Sequence, residues 1–94
     1  MFGSDNAYKG YALAGSFYTS SKHYWRALEY LRAAQEEVLA KPNRCDEHWD
    51  TMRFIAERCR ELAEKARHDR AFDEMHSADG LAAEIEAALK ACQL

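Results

Sequence analysis

Apolar residues recur along this chain at helical intervals. Between residues 22 and 40 they fall at Tyr24, Ala27, Leu31, Ala34 and Val38, alternating steps of three and four that share one helical face. The interval 44–68 is more regular still, with Trp49, Met52, Ile55, Ala56, Cys59, Leu62, Ala63 and Ala66 on one stripe. Between residues 6 and 19, Tyr8, Tyr11, Gly15 and Tyr18 form a stripe, and Leu13 and Phe17 an adjoining one. After Arg67 the period weakens across "HDRAFDEMHSADG". A break is expected within 69–79, then a short helix over 79–93 bearing Leu81, Ile85, Ala88, Leu89 and Cys92.

The boundaries carry their own signals. Asp5 or Asn6 can accept hydrogen bonds from the first turn of the first helix, and Thr19, Ser20 and Ser21 favour a turn and supply the next cap. Pro42 stops the second helix, and Asn43 caps the third, with Asp46 and Glu47 opposing its dipole. Ser77 or Asp79 caps the last. Connections this short make neighbours antiparallel. The reading is an all-α antiparallel bundle of three to four helices, one domain over residues 1–94.

Composition narrows the function classes. The chain is 48% hydrophobic and 31% charged with a net charge of −3, its acidic and basic residues interspersed. No clustered cationic excess favours nucleic acid, because neutralising phosphates needs grouped Lys and Arg. No apolar run is long enough to cross a bilayer, and the first residues lack the basic and apolar segments of a leader, so no membrane association is expected and the expected compartment is the cytoplasm. Cys45, Cys59 and Cys92, odd in number and far apart, read as reduced thiols.

Tyr11, Ala14, Gly15, Tyr18, Tyr24, Ala27, Leu31 and Ala34 fall in the order and spacing of a single tetratricopeptide repeat, and the first two helices resemble that helical hairpin. Leu39 stands where the family has proline, and Pro42 comes later. Ala12 and Ser16 hold the positions of the family's carboxylate clamp without its Lys or Asn, so the resemblance does not extend to capture of a C-terminal carboxylate. The second and third helices, through Tyr24–Leu31 and "LAEKAR" at Leu62–Arg67, are also similar to microtubule-interacting-and-trafficking three-helix domains. Both resemblances imply a non-catalytic module that holds peptides or helices in grooves between its own helices.

Reaction chemistry is not marked. The sequence has no nucleophile elbow, phosphate-cradling loop or Ser-His-Asp signature, so no enzyme and no cofactor are expected. Cys45 and His48 lie three apart, but Cys59, His68, His76 and Cys92 supply no second pair at ligand spacing, and no metal site is assigned. Arg53, Arg60 and Arg67 recur every seven residues with Glu57 and Glu64 between them, the pattern of a solvated face with intrahelical ion pairs.

The aromatic residues point to a partner. Phe54 sits among Glu47, Asp50, Thr51, Glu57, Arg58 and Glu61. It either touches another part of the chain, such as residues 70–76, or awaits a partner. Trp25 lies at the edge of the second helix beside Glu29 and Arg32. The expected partner-binding residues are Trp25, Phe54, Arg58 and Glu61. The function expected is a small protein-binding module: an adaptor, a chaperone, or an inhibitor covering a surface of a larger protein. A homodimer-forming structural protein is the alternative, and a Cys/His metal-dependent regulator ranks behind both.

Overall fold

The structure, a computed structural model, describes residues 7–40 and 46–92. It is an all-α bundle of α1 (Ala7–Ser20), α2 (Tyr24–Ala40), α3 (Asp46–His68) and α4 (Phe72–Cys92), with no strand among the described residues. The expected caps at Asp5, Asn6 and Asn43, the stop at Pro42, and the side chains of Cys45 to His48 lie outside the described residues.

Two helical hairpins make up the bundle, and each turns through three residues, 21–23 and 69–71. The two turns are built alike. In the first, His23 N–H donates to Tyr18 O and Lys22 N–H to Thr19 O, with Lys22 in the left-handed region at φ 66°. In the second, Ala71 N–H donates to Ala66 O and Arg70 N–H to Arg67 O, with Arg70 at φ 62°. These paired bonds satisfy the last carbonyls of the outgoing helix in a Schellman turn. The hydroxyls near the first turn therefore do not cap α2. Thr19 Oγ1 donates back to Gly15 O at 2.8 Å and Ser21 Oγ to Phe17 O at 3.2 Å, while the carbonyl of His23 accepts the first bond of α2. The left-handed Lys22, followed by His23, separates Ser20 and Ser21 from the first turn of α2.

The fourth helix differs from expectation in its start. The break falls at 69–71, and α4 runs unbroken from Phe72 through Gly80, rather than beginning near residue 79. Ser77, Asp79 and Gly80 are weak helix formers, yet Ala78, Leu81, Ala82 and Ile85 are all fully buried and carry the apolar stripe straight through them. Asp73 and Glu74 stand in the first turn, where the helix dipole favours acid. Packing overrides local propensity here.

In cross-section α2 and α3 touch each other and both outer helices, while α1 and α4 do not meet. The four helices thus form a rhombus with α2–α3 as its short diagonal. Along that diagonal lie the fully buried Leu31, Val38, Met52, Ile55 and Leu62. The α1–α3 and α2–α4 edges lie on opposite sides.

Candidate functional site: a cleft between α1 and α3

The approach of α1 to α2 depends on one residue. A Cβ at Gly15 would stand 2.6 Å from Leu31 Cγ and 2.7 Å from Leu31 Cδ2. Glycine there lets α1 settle against the core, with Ala12 buried beside it. The aromatic side of the hairpin completes the seat: Tyr18 and Tyr30 stack with ring centroids 5.5 Å apart, and Tyr11 leans on Tyr30 at 6.2 Å.

With α1 held there, a cleft of about 330 Å³ opens between α1 and α3. Its walls are Lys9, Ala12 and Leu13 on one side and Asp50, Thr51 and Phe54 on the other, and its lining surface is almost wholly apolar. Phe54 is half-buried against the core and faces Ala12 and Leu13 of α1 across the cleft. The Arg58 guanidinium lies over the Phe54 ring, 5.2 Å from its centroid, and Nη1 pairs with Glu61 Oε1 at 2.9 Å. Arg58 Nε and Ser16 Oγ are buried with no hydrogen-bond partner among the described residues. Each lies one helical turn beyond the cleft, after Phe54 and Ala12 respectively.

The structure therefore gathers three of the four expected residues, Phe54, Arg58 and Glu61, along one stretch of α3. It sets Trp25 apart. Trp25 is 53% exposed and lines a different cleft with Leu28, Glu29, Arg32 and Ser77, on the opposite α2–α4 edge. Phe54 and Trp25 therefore line different clefts. Leu13, 65% exposed, lines the Phe54 cleft, and Phe17, 64% exposed, stands one turn further along α1 outside that lining; neither was among the expected site residues. The signal for them is the charge content of α1, whose sequence holds Lys9 and no acid.

The arginine row proves to be more than an intrahelical pattern. Arg53 pairs with Asp50 and Arg67 with Glu64 within α3, but Arg60 crosses to α4, where it bonds both carboxylate oxygens of Glu86 (2.7 and 3.3 Å) and Asp79 (3.1 Å). Its hydrogen bonds hold the Glu86 carboxyl below the usual carboxylate range. Arg60 thus meets two carboxylates before any phosphate.

A second polar cluster lies at the turns. Tyr24 Oη donates to Asp69 Oδ2 at 2.6 Å, joining the start of α2 to the end of α3, and Lys22 Nζ sits 3.7 Å from the same oxygen. Burial, and then the bond to Asp69, push the Tyr24 phenol up to about 12, while that bond holds Asp69 below its ordinary range. This arrangement braces the two turns against each other. Cys59 is fully buried, and burial pushes its thiol up to about 12, leaving it protonated and unreactive at neutral pH. Among the described residues no three His, Cys, Asp or Glu side chains converge as a metal site. None of the described helices is long and apolar enough to cross a membrane. No known protein family, curated protein or solved structure matches the chain.

Proposed function

We propose that the chain is a small non-catalytic protein-binding module of the cytoplasm, acting as an adaptor, a chaperone, or an inhibitor that covers a surface of a larger protein. The observation that carries this reading is the α1–α3 cleft: an apolar trough floored by Ala12 and Phe54, with Leu13 exposed on its rim and the Arg58–Glu61 pair beyond its end. Such a trough suits an amphipathic helix that enters with apolar anchors at i, i+3 or i+4, and i+7. Arginine stacked on an aromatic ring at the margin is a common composition for a binding hot spot. The resemblance of α1–α2 to a tetratricopeptide hairpin points the same way.

The test is capture from native host lysate on the immobilised chain, with retained proteins identified by mass spectrometry. Phe54→Ala is compared with Phe17→Asp, and each variant is first checked by circular dichroism and thermal melting. One protein retained by the native chain and by Phe17→Asp, but lost with a folded Phe54→Ala, supports recognition in the cleft. A column that retains nothing specific, or retention unaffected by Phe54→Ala, contradicts it.

A further inference from the structure

Helix α1 is apolar on two opposite faces. Ala12, Gly15 and Thr19 turn into the bundle. Gly10, Leu13, Ala14 and Phe17, spaced i, i+3, i+4 and i+7, form a second stripe on the far side. A helix of this kind is ordinarily covered on both faces. The other outer helix is different: the exposed side of α4 carries Asp73, His76, Glu84, Glu86 and Lys90.

Residue size also alternates along the outer stripe of α1. Nothing lies within 4 Å of where a side chain on Gly10 would begin, whereas Phe17, two turns later, stands in solvent. We propose that this stripe pairs with the same stripe of a second copy of this chain, antiparallel, about a twofold axis between Leu13 and Ala14. In that register Gly10 meets Phe17 of the partner subunit, and Leu13 meets Ala14 of the partner subunit. Each large side chain faces a small one, and every contact recurs across the axis, as a twofold interface requires. The one charge of α1, on Lys9, falls opposite Tyr18 of the partner subunit, so no like charges are opposed. Antiparallel helices also set opposite dipole ends side by side. A helix of 14 residues is about 21 Å long, so the pair buries a few hundred Å² on each copy, below the roughly 800 Å² of a standard interface. An interface this small fits a transient dimer rather than an obligate one.

The interface shares Leu13 with the rim of the cleft but leaves Phe54 outside the paired stripe and Phe17 outside the cleft lining, so Phe54→Ala probes the cleft and Phe17→Asp the interface. Sedimentation velocity over about 1–300 µM tests it. The native chain is expected to pass from monomer to dimer within that range. Gly10→Leu fills the socket while removing a helix-weakening glycine, so the monomer stays folded by circular dichroism and the midpoint rises at least about tenfold. Phe17→Asp is expected to remain monomeric throughout, and Phe54→Ala to dimerise as the native chain does. A native chain that stays monomeric, a dimer indifferent to both Gly10→Leu and Phe17→Asp, or one dissolved by Phe54→Ala overturns the proposal.

Discussion

The two outer helices, α1 and α4, occupy equivalent corners of the rhombus and are built on different principles. α1 meets the core through small residues, Ala12 and Gly15, and relies on close approach and stacked tyrosines. α4 meets it through Leu81 and Ile85 and is tied down further by Glu86 and Asp79 on Arg60, with Glu84 reaching Arg32 at 3.9 Å. The exposed side of α4 is mostly charged, with Phe72 apolar at its first residue, whereas that of α1 presents Leu13 and Phe17. A charged outer face closes a helical array in water, whereas an apolar one leaves surface for another protein. On the proposed reading, α4 anchors the bundle and α1 serves recognition.

The sharpest way to break the contrast is to remove an anchor. Ile85→Ala opens a cavity under α4 and is expected to lower the unfolding free energy by about 3 kcal/mol in urea denaturation. The equivalent insult to α1 adds an atom instead. Gly15→Ala drives a methyl into Leu31 and should cost about 1–2 kcal/mol, with amide shifts concentrated in α1 and α2. Combining it with Leu31→Ala should cost less than the two changes separately, since the second relieves the first; strict additivity would mean that α1 is not seated on Leu31.

Charge should matter chiefly on the α4 side. Arg60→Met is expected to lose only about 0.5–1 kcal/mol, and less in high salt, because the group is half exposed. Glu86 and Asp69 both titrate below their ordinary range in the folded chain. Their contribution is therefore complete above about pH 5–6, begins to fall near the ordinary carboxylate range, and is lost as pH falls through the lowered folded values. Tyr24→Phe removes the main cause at Asp69, so the Asp69 carboxyl should move up toward its ordinary value when followed by NMR, with Glu86 unchanged. The smallest effect lies in the turns. Lys22→Gly and Arg70→Gly each relieve a left-handed side-chain-bearing residue and should raise stability by up to about 0.5 kcal/mol, less at Lys22, whose ammonium also faces Asp69.

The helices of the core were legible in the sequence because burial follows period. Every residue of the Met52–Ala66 stripe and the Tyr24–Val38 stripe is buried where the spacing puts it. The start of α4 was not legible. Three weak helix formers, Ser77, Asp79 and Gly80, outweigh Ala78 in a local reading, and only contact with α3 reverses that balance. The oddity of Phe54 was visible from its polar neighbours, as were Arg58 and Glu61 beside it. That Trp25 belongs to the opposite edge depends on how two hairpins cross, which no helical period encodes. Leu13 and Phe17 were visible as a stripe, but whether a stripe turns inward or outward depends on Gly15 choosing the side that meets α2.

The most direct measurement sets the two edges against each other. Thr51→Arg places a charge in the α1–α3 cleft, and Trp25→Ala empties the α2–α4 cleft; both would be used in parallel captures from the same lysate. Loss of the retained protein with Thr51→Arg and its retention with Trp25→Ala is the result expected. Retention with Thr51→Arg and loss with Trp25→Ala would move recognition to the other edge and contradict the roles assigned to α1 and α4.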